Sequence, residues 1–450
     1  MRTRTAQQMT KTKPETYTVY EFGGFTCGKR VGGYQSLPPD TFAALESFVL
    51  ENRTRTDYTD YDGADTIELM GCTSKKGIGE ILTARNYVGT VTLKDGTVIE
   101  ILPKIGKNIG AERTKEIFLR MLAALPDMNF KLSEMANLDT RRMNIYEIFI
   151  RMFLQEALGL ARQGLRSGYT RVERNECFCK GRLLMDRHVR RNAADAAHFY
   201  VTYKKFTPNR PENRLLKSTV LLLLKQTSQA ENNRLCRELL THLEAVEESR
   251  DIDGDFAKCV KSRATVHYEK ALNWCRVFLK RKSFTAFSGE QKAFALLFPM
   301  ERVFESYVVR ALRRSGLFRS VLEQDESKSL FTDGGYLRPD IVAYRRGDAY
   351  PLIMDTKWKV PADRSKISNA DLYQMYAYGA RYKSPLVLLL YPLAGADPHF
   401  KPYHTHKGAV PCVTVAPYFV DLEAEEATMA KSIFAAAKQL TPIGAGSGKP

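Results

Sequence analysis

Tyr336-Leu337-Arg338-Pro339-Asp340-Ile341-Val342-Ala343-Tyr344-Arg345, a turn at Arg346-Gly347-Asp348, and then Ala349-Tyr350-Pro351-Leu352-Ile353-Met354-Asp355-Thr356-Lys357 read as two neighbouring strands. Asp340 lies within the first, and Asp355 near the end of the second, with fourteen residues between them. Adjacent antiparallel strands would bring the two carboxylates together. Successive strand residues point to opposite faces, so Asp355 and Lys357 share a face while Thr356 points away. Phosphodiester hydrolysis needs a divalent cation to activate water and to offset the charge that builds on the phosphate. Carboxylate oxygens are natural holders of such an ion. An ammonium beside it would orient the attacking water or steady the transition state.

The acidic-x-Lys pattern alone is weak, because Glu290-Gln291-Lys292 and Glu326-Ser327-Lys328 also carry it. Only Asp355-Thr356-Lys357 ends an apolar run and has a Pro-Asp upstream at hairpin range. The plain alternative is a surface turn with an incidental ion pair. Upstream, Phe304-Glu305-Ser306-Tyr307 reads as helix, and Glu305 could supply a third carboxylate. Glu301 lies one helical turn away on a similar face, so position does not choose between them. Downstream, Asp371-Leu372-Tyr373-Gln374-Met375-Tyr376-Ala377-Tyr378-Gly379 reads as another helix. Gln374 and Tyr378 are four apart and stack on one face, where an amide and a phenol can brace a metal site or contact a phosphate. An aromatic stripe of this kind also serves plain core packing.

The rest of the chain divides around this segment. Its 450 residues are enough for two to four domains at roughly 100–200 residues each. Hydrophobic residues at 44% and charged residues at 26% are the balance of a globular protein, which excludes a disordered chain, a collagen-like repeat and a membrane bundle. Residues 1–108 read as a β-rich N-terminal domain, in which Asp95-Gly96 between two β-branched runs predicts a hairpin. Residues 109–286 read as mainly helical, with a strand-like pair near Cys177–Leu184 and His198–Phe206. Residues 287–450 read as α/β: a helix over Gln291–Arg314 with a kink or break at Pro299, the two strands above, a helix over Asn369–Tyr382, and an apolar strand at Pro385–Tyr391. Val413–Val420 reads as a further strand, Glu423–Leu440 as a closing helix, and Thr441–Pro450 as a loose tail.

The formal net charge is +17, and the excess is uneven: Leu138–Lys217 holds 17 basic against 8 acidic residues. A field of that sign draws polyanions, nucleic acid above all. Arg190 and Arg191 sit in the densest basic-aromatic stretch, which is either a DNA track, a dock for an acidic partner, or a solvated face. Gly23-Gly24-Phe25-Thr26-Cys27-Gly28-Lys29-Arg30 nearly spells a phosphate-binding loop, but Arg30 stands where Ser or Thr must hold the metal. No bound nucleotide is expected. Eight cysteines without metal-ligand spacing, no apolar signal after the basic N-terminus and no span-length apolar stretch point to a reduced, cytoplasmic protein that makes no contact with membrane.

Together the helix Glu305, Pro339-Asp340, Asp355-Thr356-Lys357 and Gln374-x-x-x-Tyr378 resemble the PD-(D/E)xK nuclease superfamily. Lys180-Gly181-Arg182-Leu183 and Glu212-Asn213-Arg214-Leu215-Leu216-Lys217-Ser218-Thr219 bring the chain closer to the McrC family, the endonuclease subunits of McrBC modification-dependent restriction systems. The resemblance implies an α/β fold with α+β character, in which residues 287–450 form a restriction-endonuclease-like domain whose mixed central sheet is flanked by helices. It also implies a Mg2+-dependent (or Mn2+-dependent) DNA endonuclease. Asp340, Asp355, Glu305 and the backbone carbonyl of Thr356 would hold the metal, and Lys357 would be the catalytic cation. Gln374 and Tyr378 would support the site or touch DNA. The implied partners are a McrB-like hexameric AAA+ GTPase, whose hydrolysis the chain stimulates, and double-stranded DNA containing modified cytosine of the 5-methylcytosine type. The resemblance further implies that part of the N-terminal half inserts into the ring, a segment that would lie in the β-rich or the basic middle region. A stand-alone repair or recombination nuclease of the same fold, and an activator that has lost its chemistry, are the rival expectations.

Overall fold

A computed structural model describes residues 15–52, 70–93, 95–107, 109–125, 143–259, 266–280, 293–395, 397–406 and 408–440. These form two compact units, one from Met1–Ile145 with Phe284–Pro450 and the other from Tyr146–Ser283. The segments read from the sequence as first and third therefore share a unit. One tie between them is the strand Ala293–Pro299, through which the later segment pairs with an early one.

In the early part, β1 (Thr16–Tyr20), β2 (Gly24–Cys27), β3 (Gln35–Leu37), helix α1 (Pro39–Asn52), β4 (Met70–Lys75), β5 (Gly79–Ala84), β6 (Tyr87–Leu93), β7 (Val98–Leu102) and α2 (Ala111–Leu122) follow in order. Strands β3-β2-β5-β4 make one sheet; β1-β7-β6 make another, and Ala293–Pro299 adds to its β6 edge. The Asp95-Gly96 hairpin forms as its sequence predicts: Gly96 takes φ +88, and the Asp95 carboxylate accepts the Thr97 N–H at 2.9 Å. Phe25, Phe42, Leu45, Phe48, Val91 and Ile99 fill the core between the sheets and α1.

The second unit holds almost all of α3 (Ile145–Gln163), then β8 (Gly168–Glu176), β9 (Arg182–Leu183), α4 (Met185–Asn192), β10 (Phe199–Thr207), α5 (Pro211–Gln226), α6 (Ala230–His242), α7 (Ile252–Lys258) and α8 (Glu269–Leu279). Tyr146, Phe149, Phe153, Trp274 and Phe278 pack ring against ring at its centre. The buried Glu147 carboxylate is met by Thr227 Oγ1, Ser228 N and Asn232 Nδ2. The strand expected near Cys177–Leu184 is displaced. The long partner of β10 is β8, earlier in the chain, while Cys177 and Cys179 are exposed in the connection and β9 is only two residues long. β8 reads Gly-Tyr-Thr-Arg-Val-Glu-Arg-Asn-Glu and has no buried face, so no apolar alternation marks it.

The remainder of the first unit contains β11 (Ala293–Pro299), α9 (Met300–Arg314), β12 (Phe318–Glu323), β13 (Lys328–Phe331), β14 (Gly334–Leu337), β15 (Ile341–Arg345), β16 (Leu352–Thr356), α10 (Asn369–Tyr382), β17 (Leu386–Pro392), β18 (Tyr403–His404), β19 (Thr414–Val420) and α11 (Glu426–Leu440). A six-stranded sheet of order β12-β15-β16-β17-β19-β18 dominates. It is mixed: β12, β15 and β16 run antiparallel, β16, β17 and β19 parallel, and β18 antiparallel at the edge. Val387, Leu389 and Tyr391 of β17 face Met375, Tyr378 and Tyr382 of α10. The alternate β17 residues are also buried, the mark of a strand covered on both faces.

Of the helix expected over Gln291–Arg314, only Met300–Arg314 forms among the described residues, and Pro299 is a break rather than a kink. The described part of that span is a strand and then a helix, with Pro299 as the residue before α9. Ala295-Leu296-Leu297-Phe298 is apolar at every position, so its periodicity cannot tell strand from helix, and pairing with β6 decides. The expected tail Thr441–Pro450 lies outside the described residues. Among the described residues no helix is long and apolar enough to cross a membrane.

The β6–β11 seam depends on Gly89. Its φ is +141, and a Cβ there would lie 2.0 Å from the Leu296 carbonyl oxygen. Gly89→Ala must push the strands apart, and the loss of stability is expected at about 2 kcal/mol or more. Urea unfolding monitored by tryptophan fluorescence checks this. A midpoint equal to that of the wild type would contradict it.

Candidate active site

The β15–β16 pairing builds the site. Ile341 faces Met354 across the ladder, and continuing that antiparallel register by one residue sets Asp340 opposite Asp355. Asp340 Oδ2 accepts two hydrogen bonds from Thr356, one from its N–H and one from its hydroxyl, each 2.7 Å. Asp355 is 1% exposed, and its Oδ2 pairs with Lys357 Nζ at 2.9 Å. The strand that carries them is held from the other side as well, since Lys357 N donates to Leu390 O of β17 at 2.8 Å.

Helix α10 supplies a second row. Lys357 Nζ donates to Gln374 Oε1 at 3.3 Å, Gln374 Nε2 to Tyr378 Oη at 2.8 Å, and Tyr378 Oη to Arg338 O at 3.0 Å. This relay leads from the ammonium back to the residue two before Asp340. Tyr378 is buried and engaged at both ends, so of the two roles open from its spacing the geometry matches bracing. Ser368 caps α10 by accepting the Asp371 N–H at 3.2 Å. Asp371 pairs with Lys359 at 3.4 Å.

Helix α9 places its two acidic side chains differently. Glu301 is exposed, whereas Glu305 is half-buried and accepts a hydrogen bond from Gln324 Nε2. The same amide nitrogen donates to Asp340 Oδ1 at 3.2 Å, and Gln324 N donates to Asp340 O at 3.0 Å. Gln324 thus ties Glu305 to Asp340, and sequence reasoning missed it. It sits beyond β12 with φ +53, a left-handed conformation rare for a residue with a side chain. Only its place in the polar run Glu323-Gln324-Asp325-Glu326 was visible, and such runs are usually surface. The rival tripeptide at Glu326 is separate: Glu326 is exposed and pairs with Arg338. Glu290-Gln291-Lys292 lies outside the described residues. Arg190 and Arg191 belong to the other unit, exposed on the last turn of α4, where Arg191 stacks over Tyr200.

Burial and mutual repulsion govern the electrostatics. Burial pushes Glu305 up to about 8, helped by the Asp340 charge. Burial and the Asp340 charge push Asp355 up to about 7 against the opposing pull of Lys357. Asp340 is raised by burial, with the two Thr356 hydrogen bonds opposing. Burial alone would lower Lys357, but the Asp355 carboxylate outweighs it and the net shift is upward. Among the described residues no three His, Cys, Asp or Glu side chains are gathered tightly enough to form a ready metal cage. The donors nevertheless suit a hard divalent cation: all are oxygens, and their repulsion is what such a charge relieves.

A family model described as the McrBC 5-methylcytosine restriction system component matches residues 82–392. Among solved structures, a half-complex from a tetradecameric assembly of Thermococcus gammatolerans McrB AAA+ hexamers with bound McrC matches over 94% of this chain and 100% of that chain, with a TM-score of 0.70 and 19% identity. A cryo-EM structure of the Thermococcus gammatolerans McrBC complex matches over 67% of this chain and 88% of that chain, with a TM-score of 0.50 and 22% identity. At these identities the likeness is one of fold. No curated protein sequence matches the chain.

The raised carboxyls set the direction of a pH effect. An unfolded carboxyl titrates near roughly 4, so between that value and about 8 the folded chain binds more protons than the unfolded one. Stability from Glu305 and Asp355 is therefore present at low pH and lost as pH rises through about 7 and 8. In EDTA, the urea midpoint is expected to fall from pH 6 to pH 9, and to fall less in Glu305→Gln and Asp355→Asn. Equal slopes in all three proteins would refute the assignment.

Proposed function

Because the chain belongs to the McrBC 5-methylcytosine restriction system component family, we propose that it is the DNA-cutting subunit of such a system, a Mg2+-dependent or Mn2+-dependent endonuclease of PD-(D/E)xK type. The observation that carries this reading is the pinning of Lys357 between Asp355 and Gln374, next to a second carboxylate across the strand pair. A lone ion pair at a surface turn needs neither burial nor the relay through Tyr378.

Asp340, Asp355 and Glu305 would hold the metal, with the Thr356 carbonyl as a further oxygen. Bound there, the ion would neutralise charge on the scissile phosphate and lower the pKa of a water. The chain's own residues do the rest. Lys357 presents a proton-rich cation to the developing negative charge, and its raised pKa keeps it charged at neutral pH. Gln374 and Tyr378 hold that ammonium in place, which limits the reorganisation needed at the moment of reaction. Gln324 keeps Glu305 and Asp340 in register.

The partner reading rests on the similar solved structure, in which McrC is bound to McrB AAA+ hexamers. By likeness, this chain would dock on such a ring, stimulate its GTP hydrolysis, and cut DNA carrying modified cytosine that the ring selects. It would bind no nucleotide itself. The sheet β8-β10-β9 with α4 is the surface best suited to a polyanion or an acidic ring. Arg171, Arg174, Arg182, Arg190, Arg191 and Lys204 are exposed on it, with Tyr169 and Phe206 among them at 72% and 61% exposure.

Two experiments test this. Asp355→Ala is expected to cut modified DNA at least roughly a hundredfold more slowly while still binding the ring and stimulating its GTPase. Normal cutting by that variant would sink the site. Cutting by the wild type without any ring would favour a self-sufficient nuclease instead. Separately, Arg190→Glu with Arg191→Glu should weaken DNA retention if the basic face tracks DNA, or GTPase stimulation if it docks on the ring. No change in either would make the patch a solvated surface only.

A further inference from the structure

Trp358 follows the site lysine and is 2% exposed. Its indole N–H donates to both carboxylate oxygens of Glu21, at 3.0 and 2.9 Å. Glu21 is fully buried in the turn between β1 and β2, more than three hundred residues earlier in the chain. The same carboxylate accepts the Lys104 N–H at 2.9 Å. Lys104 then closes the loop: its Nζ donates to the Trp358 carbonyl at 2.5 Å and lies over the rings of Phe22 and Trp358, 5.2 and 5.3 Å from their centroids. Phe22 holds φ +63, so the turn that aims Glu21 is itself in the left-handed region.

Two consequences for the site follow from where Trp358 sits. Lys359 N donates to Lys357 O at 2.8 Å, which makes Trp358 the centre of a tight three-residue turn at the end of the catalytic strand. The Trp358 ring also packs on Phe304, with centroids 5.5 Å apart, and Phe304 immediately precedes Glu305. One indole therefore touches the backbone that aims Lys357 and the helical turn that presents Glu305. A buried carboxylate beside a buried ammonium is a weak device for stability, since apolar residues of similar volume often hold a fold as well or better. Its specificity lies in direction: the indole N–H has one place to go.

We infer that Glu21 is a positioning residue for DNA cleavage, acting through Trp358 to fix Lys357 and Glu305 together. This rests on the reading of those two residues as parts of a nuclease site. The β1–β2 turn then belongs to the working site although none of its atoms touches the reacting phosphate.

The test uses the full chain with its AAA+ ring, GTP, Mg2+ and a plasmid carrying 5-methylcytosine. Glu21→Ala is expected to lower the cleavage rate at saturating DNA by about tenfold or more, with KM for DNA and GTPase stimulation within about twofold of the wild type. Glu21→Gln should recover most of the rate, because its amide oxygen still accepts the indole N–H. Trp358→Phe removes the donor together with the pyrrole half of the indole, and should reproduce the Glu21→Ala loss of rate while GTPase stimulation stays within about twofold of the wild type. Leu45→Ala, a cavity in the early core, controls for stability lost elsewhere in the same unit and should cut as the wild type. Wild-type cutting by both Glu21→Ala and Trp358→Phe overturns the inference, as does an equal loss in Leu45→Ala. Absence of cutting by the wild type itself overturns the nuclease reading, and the inference with it.

Discussion

Two carboxylates face each other across a strand pair in a place that water hardly reaches, and their repulsion is the constraint to which the rest of the terminal sheet answers. Left alone, such a pair would protonate or separate. Each member is instead held by a different kind of partner. Asp340 is fixed by neutral donors from Thr356 and Gln324, and Asp355 by a full positive charge on Lys357. That asymmetry keeps both side chains directed inward while leaving the set short of positive charge. The parallel strands β16, β17 and β19 and the buried face of α10 serve as the rigid wall behind it.

Much of this was legible because the residues involved carry strong local signals. The Asp95-Gly96 turn favours a hairpin, the short apolar run at β17 fits a doubly covered strand, and the Gln374–Tyr378 spacing fits α10. Asp340 and Asp355 were readable because antiparallel register follows from a short connection. What escaped depends on partners distant in sequence. β11 looks helical until β6 is there to pair with it. β8 has no apolar face and exists because β10 offers it a complete ladder. Gln324 and Glu21 matter only through the side chains they meet, and nothing in their neighbours foretells those meetings.

The second unit follows a different logic. Its helices bury an aromatic centre and satisfied polar groups such as Glu147, so its sheet is free to stay polar. Cations beside that sheet lie over rings of β10: Lys180 over Tyr203, and Arg187 and Arg191 of α4 over Tyr200. Rings beneath guanidinium groups hold the charges in chosen directions with little loss of exposure. A surface built this way suits contact with a charged, structured partner better than simple hydration would require.

The strand Ala293–Pro299 has a bearing on how the chain comes to be made. On a ribosome, β1, β6 and β7 emerge long before β11, so the growing chain carries β6 with an uncovered flank through the synthesis of the whole intervening unit. An open flank of that kind invites mispairing with other nascent chains. The described sheet of the intervening unit, β8-β10-β9, is built from its own strands and can mature meanwhile, which makes this unit a domain inserted into a half-finished one. Biogenesis of this protein would then be governed less by its length than by the wait for a single late strand.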